Sequence, residues 1–223
     1  MDLYDVMRTT FSAREFTDAP VPDEALYKIL DNARFASNGG NRQGWHVLIV
    51  RQRQTREALA ALGEPAARRY AAQQLAGESP WNAVSPTNVD AATIESTAVP
   101  ARLRESFIQA PVVLVVCVDL RVVASTDQYL ERVGVISGAS IYPFVWNILL
   151  AARHEGYGGT ITTLAVAQEA KVQALLNIPP HVAVSAVIPL GQPVKQLTRL
   201  RRKPVADFAR HESWGGQPLD AGT

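Results

Sequence analysis

Ala36-Ser37-Asn38-Gly39-Gly40-Asn41-Arg42-Gln43-Gly44-Trp45-His46 joins an amphipathic helical pattern to a strongly apolar strand pattern. Upstream, Pro20, Pro22 and Asp23 open a helix in which Leu26, Ile29, Leu30 and Ala33 recur at i, i+3, i+4 and i+7, a stripe that faces a core. Downstream, Trp45 to Val50 is apolar without alternation, which predicts a strand central in its sheet. Glycines and amide side chains crowd the loop between them. Two readings fit: a glycine helix cap followed by a turn, or a wall where backbone and amides meet a flat polar cofactor. His46, at the start of the strand, reads as structural.

Toward the N-terminus, Asp2 to Arg8 reads as a short helix and Thr9 to Phe16 as an extended, hydroxyl-rich segment. Toward the C-terminus, Thr55 to Leu62 and Pro65 to Leu75 read as two Ala-rich helices broken at Gly63 and Pro65. Residues 77–100 form a long excursion rich in Ser, Pro and Asn, with a short helix near Arg102 to Phe107. Such loops are lids, partner-binding arms or disordered segments, and Trp81 favours an ordered role. Pro111 to Asp119 is a second strand, apolar on both faces. Gly134 to Arg153 is apolar nearly all round, which predicts a buried helix covered in part by a second subunit and kinked or interrupted at Pro143. Glycines then lead into Thr160 to Thr163, followed by a helix from Leu164 to Asn177 and a last core strand from Ala183 to Gly191. The tail from Pro193 carries a basic cluster, Arg199, Arg201, Arg202 and Lys203.

The chain's 223 residues fit one domain, and 47% hydrophobic with 19% charged residues suits a globular core. With 22 basic against 21 acidic residues there is no overall field to attract nucleic acid. The single cysteine, Cys117, lies inside an apolar run and reads as a buried hydrophobe; without an intrachain disulfide, a reducing, cytoplasmic setting is expected. Acids occupy the start of the chain, where a secretory signal needs bases, and no run reaches the length of a membrane span. No His-Glu-x-x-His, Cys-x-x-Cys, Gly-x-Ser-x-Gly or P-loop occurs, and the run from Gly156 fails the dinucleotide fingerprint at Ile161. No metal site can be assembled from the sequence. An enzyme built this way leaves the chemistry to a cofactor.

Taken in order, Ser12-x-Arg14-x-Phe16, Ser37 to Trp45, the Gly156 to Thr163 turn, Leu176-Asn177-Ile178-Pro179, Pro189 to Pro193 and Arg202-Lys203-Pro204 resemble the FMN-dependent nitroreductase family. The likeness spans almost the whole chain except residues 77–100. It implies an α+β fold with a mixed, mostly antiparallel central sheet flanked by helices. It also implies an interwound homodimer with FMN at the subunit interface. Ser12 and Arg14 match residues that meet the flavin's pyrimidine edge and its tail. Asn38, Gly39 and Asn41 match the loop that contacts the ring, commonly from the other subunit. Thr162 and Thr163 occupy the turn near N5, and Arg202 matches a phosphate-binding base. Where the family has two bases ahead of the serine, this chain has Thr10 and Phe11; Arg8 is either a displaced replacement or a surface cation on a helix end. Gly44 replaces a common proline.

The implied activity is hydride transfer from NADPH or NADH to FMN and then, by a ping-pong scheme, to a small-molecule acceptor such as a nitroaromatic or quinone. A fixed cation such as Arg14 would favour hydride acceptance, and guanidinium forks would hold a phosphate. The alternatives are a specialised relative that dehalogenates, destroys flavin or dehydrogenates a ring, and a non-catalytic flavin-binding protein closed by the 77–100 excursion.

Overall fold

In the computed structural model, residues 1–220 are described. In chain order the principal elements are α1 (Leu3–Thr9), α2 (Asp23–Ala33), β1 (Trp45–Val50), α3 (Arg53–Leu75), α4 (Ala91–Ser96), α5 (Ala101–Gln109), β2 (Val112–Asp119), α6 (Tyr142–His154), β3 (Gly158–Gly159), α7 (Glu169–Leu176) and β4 (Val182–Gly191). The strands make one antiparallel sheet in the order β1-β2-β4-β3. An isolated parallel bridge from Ser12 to Gly159 makes it mixed, in accord with the expected α+β class. Among the described residues no helix is long and apolar enough to cross a membrane.

β2 sets the layers. Its residues from Val112 to Val118 are all buried, and successive side chains point to opposite faces. Val112, Leu114, Val116 and Val118 enter one core with Leu26 and Ile29 of α2 and Val145 and Ile148 of α6. Val113, Val115 and Cys117 enter the other with Leu59 of α3, Phe107 of α5 and Val172 of α7. Trp45 completes the first core by stacking on Phe144, with ring centroids 4.7 Å apart.

Sequence reading mistakes two features for others. β1 is an edge strand rather than a central one. Its continuous apolarity arises because Trp45 and Val47 pack into one core and Leu48 and Val50 into the other. Two covered faces say nothing about how many neighbours a strand hydrogen-bonds. Next, α3 runs unbroken through Gly63 and Pro65. Gly63 is buried with Leu164 and Ala165 of a 3₁₀ turn against it, so it permits a close approach; Pro65 lies on the exposed face. At Pro143 the expected interruption is found: the proline stands in the first turn of α6, and the residues before it form a separate 3₁₀ turn, Ile136–Ser140. A similar turn, Leu164–Gln168, precedes α7, whose C-cap Asn177 is left-handed.

The 77–100 excursion is ordered against α3. Glu78 accepts from Gln73 Nε2, Thr87 Oγ1 and the Asn88 amide, and these hydrogen bonds hold its carboxyl below the usual range. The Trp81 indole donates to the Ala66 carbonyl at 3.3 Å while the Arg69 guanidinium lies 4.2 Å from its ring centroid. Arg56 of α3 donates to the Phe107, Ile108 and Ala110 carbonyls, capping α5 and fixing it beside α3.

Gly159 is a tightly packed buried position in this frame. A Cβ there would stand 2.8 Å from the Pro189 carbonyl oxygen and 3.2 Å from Leu149 Cδ2. Gly159→Ala is therefore expected to destabilise the protein by about 1–3 kcal/mol through overpacking, read as a lower urea midpoint. An unchanged midpoint would show that β3 can shift without cost.

Candidate functional site

The N-terminal segment is laid along the sheet end by backbone pairing. The Ala13 amide donates to the Gly159 carbonyl at 3.1 Å, Thr17 donates to Gln192, and Val194 donates to Glu15. Phe16 forms a bridge to Pro193. Ala13 and Phe16 turn inward and are buried, while Ser12 and Arg14 remain exposed. Arg14 Nη1 donates to the Ser12 carbonyl at 3.2 Å, which holds the guanidinium near its own strand.

Arg14 borders a cavity of about 370 Å³. The last turns of α3 give it Tyr70 and Gln74, α5 gives Arg102 and Phe107, and the turn after β3 gives Thr160 to Leu164. Mutual amide–carbonyl hydrogen bonds between Thr162 and Val187 fix that turn on β4. A second hollow of about 330 Å³ also carries Arg14 and Arg102, together with Ser12, Lys195, Glu15 and Glu105. Apolar and aromatic walls beside hydroxyls suit a planar heterocycle, and the cations in the adjoining hollow suit an anionic tail. The residues present thus fit a flavin nucleotide. Among the described residues no group of three or more His, Cys, Asp or Glu could hold a metal ion.

Asn38, Gly39 and Asn41 lie elsewhere. Trp45, which follows their loop, pairs with Val118, and Val118 pairs with Ala183; Gly159, beside Ser12, pairs with Leu190. Ala183 and Leu190 are seven residue steps apart along β4, about 23 Å at the usual rise. Within one chain the loop and Arg14 therefore stand toward opposite ends of the sheet. The loop is shaped by its own contacts: Asn38 Oδ1 accepts from the Gln43 amide at 2.9 Å, and the Gly39 amide donates to Ser140 Oγ at 3.4 Å. Gly40, Asn41 and Gln43 all have φ between 51° and 62°. Such left-handed residues in close succession are uncommon, especially at Gln, and persist where the surroundings enforce them. Gly44 now has a reason, since a Cβ there would meet Val122 Cγ2 at 2.5 Å.

Arg8 ends α1, lies over the Tyr4 ring at 5.8 Å and lines neither hollow. Arg202 is exposed in the tail and donates to the Arg201 carbonyl; it also lines neither hollow. Conversely, Tyr70, Gln74, Arg102 and Lys195 were not singled out by sequence. Each is an ordinary residue on a helix or in a tail, and only long-range packing brings it to the cavity or hollow. Cys117 is remote from catalysis: burial, with the Glu169 charge adding, pushes its thiol up to about 11.

The family model described as the nitroreductase family matches residues 7–192. The chain is similar to an NADH dehydrogenase of Thermus thermophilus, with 28% identity over 202 residues, covering 87% of this chain and 88% of that protein. Among solved structures it resembles oxidized iodotyrosine deiodinase bound to FMN and 3-iodo-L-tyrosine, with a TM-score of 0.69, 20% identity and coverage of 96% of this chain and all (100%) of the other. It also resembles NADPH:FMN oxidoreductase from Vibrio harveyi complexed with NAD+, with a TM-score of 0.68, 20% identity and coverage of 98% and 79%. At these identities the structural likeness is one of fold.

Beside the Asn38 loop, Asp127 organises the segment that leads to Ser140. Its buried carboxylate accepts from the Val135 and Ile136 amides and from Arg132, and these hold its pKa down to about 2. A depressed folded value means that the stabilisation is complete above the unperturbed 3.8 and is lost as pH falls towards about 2. Hydrogen exchange at the Val135 and Ile136 amides should therefore lose protection across that window, and Asp127→Asn should lose it already at neutral pH. Exchange in the variant matching the parent would refute the anchoring role. Separately, Cys117 should react with a thiol reagent at pH 8 only after denaturation; rapid labelling of the native protein would contradict its burial.

Proposed function

The chain belongs to the nitroreductase family, and from that premise we propose that it is an FMN-dependent oxidoreductase. It takes a hydride from NADH or NADPH and passes it, by a ping-pong scheme, to a small-molecule acceptor such as a nitroaromatic or quinone. The observation that carries this reading is the pair of adjoining hollows that share Arg14 and Arg102, one walled by Tyr70, Phe107 and Leu164, the other rimmed by Ser12 and Lys195. When bound, FMN supplies hydride acceptance and donation at N5.

The protein's part is position and field. Arg14 places a fixed cation where negative charge develops as hydride is accepted, which favours reduction. Ser12 would lie beside the tail and the pyrimidine edge of bound FMN, and the Thr162-Thr163 turn would offer it hydrogen-bonding groups. Apolar walls limit water at the reacting face. No side-chain acid or base needs to be invoked for the hydride step.

The second half of the site comes from a second copy. One chain leaves Asn38, Gly39 and Asn41 far from Arg14, and a homodimer would bring the partner's loop to the ring. Support comes from α6, whose Phe144, Val145 and Ile148 are buried while Tyr142 and Trp146 stay 44% and 40% exposed. The partly apolar helix that the sequence expects a second subunit to cover is thus bare on one face.

Anaerobic NADH or NADPH should bleach the bound flavin rapidly, and light scattering should give twice the chain mass. Arg14→Ala should weaken FMN retention about 10-fold and lower the flavin potential. A colourless protein that cannot be reconstituted with FMN would remove the cofactor reading. Flavin that neither nicotinamide bleaches would remove the reductase reading.

A further inference from the structure

The hollow next to the apolar cavity holds more positive charge than the N-terminal motif supplies. Arg14, Arg102 and Lys195 all border a space of about 330 Å³, yet they come from the N-terminal segment, α5 and the C-terminal tail. Among the described residues none of the three makes an ion pair; the only side-chain hydrogen bond recorded for them is the one Arg14 gives to Ser12. Glu15 and Glu105 border the same space without pairing to them. Cations gathered this closely repel one another unless an anion sits between them. Two carboxylates leave a surplus of one positive charge, and a phosphomonoester facing the three cations would use it.

The two residues ahead of Ser12 offer no such help. Thr10 is buried and donates its hydroxyl to the Val6 carbonyl at 2.7 Å, while Phe11 presents a ring to the hollow. Both neighbours of Lys195 are tied down: the Val194 amide donates to the Glu15 carbonyl, and the Gln196 side chain donates through Nε2 to the Thr9 carbonyl at 3.0 Å. Arg14 and Arg102 border both spaces, whereas Lys195 borders only the second. A ligand with its ring in the cavity would therefore carry its anionic end toward Lys195.

We infer that Lys195 and Arg102 hold the terminal phosphate of the bound flavin nucleotide, the role that sequence likeness assigns to Arg202. This rests on the flavin reading above. The test compares the apoprotein's affinity for FMN with that for riboflavin, by flavin fluorescence at one fixed ionic strength. The parent should prefer FMN. Lys195→Gln should cut that preference about 10-fold or more while leaving riboflavin affinity unchanged, since Lys195 borders only the second hollow, and Arg102→Gln should cut it by a similar factor. Lys195→Arg should restore it, which separates loss of charge from loss of packing. Arg202→Gln should keep the parental preference.

A parent that binds FMN and riboflavin equally would overturn the phosphate site. So would a preference that survives both glutamine variants, or one that falls only with Arg202→Gln. A parent that binds neither flavin would sink the flavin reading itself, a result distinct from the other three. Matching thermal melts of the apo variants keep a folding defect from being read as lost phosphate contact.

Discussion

Burial of β2 on both faces is the constraint on which the remaining architecture depends. A strand dry on two sides needs a helical layer on each, and neither layer can slide without exposing valines that the other cannot cover. Alternation along Val112 to Val118 divides the helices between the two cores, so α3 and α5 end up together on one face. Their shared location is what gives the cavity its aromatic walls and Arg102. The opposite face receives α2 and α6, and so the partly bare helix surface. A single strand thus separates the layer that lines the candidate pocket from the layer that carries the exposed side chains of α6.

What the sequence made legible follows from how local each signal is. β1 has the bounds its apolar run predicts, and the N-terminal helix and extended segment lie where Asp2, Thr9 and Phe16 put them. These depend on periodicity and capping within a few residues. Gly63 and Pro65 misled because their local meaning, a helix stop, is outweighed by packing: Gly63 is buried against the Leu164 turn and Pro65 faces outward. β1 misled because apolarity reports covered faces and not hydrogen-bonded edges. The site divides the same way. Ser12, Arg14, Thr162 and Thr163 could be named from motifs, whereas Arg102 and Lys195 have no local mark and enter only through the packing of α5 and the path of the tail.

Charge at the site is arranged by backbone more than by ion pairs. The cations at the hollow lack carboxylate partners, while Asp119 and Asp127, at the far end of the chain's site elements, are tied to Arg121 and Arg132 and to nearby amides. Those two acids are thus committed to shaping loops, and bases around the hollow are left available to a ligand. A nearly neutral chain can concentrate a local field in this way without attracting anions over its whole surface.

The Trp81 clamp on α3 has a bearing on ligand affinity although it touches no ligand. It grips Ala66 and Arg69, one turn before Tyr70 and two before Gln74, the two residues that α3 contributes to the cavity. With the helix held there, the backbone that carries Tyr70 and Gln74 is set when the chain folds. On the proposed function, a ligand then meets a helix already in place, and less of the contact energy goes into ordering it. The excursion from 77 to 100, which reads in sequence as a digression, therefore acts as an external splint for the cavity wall.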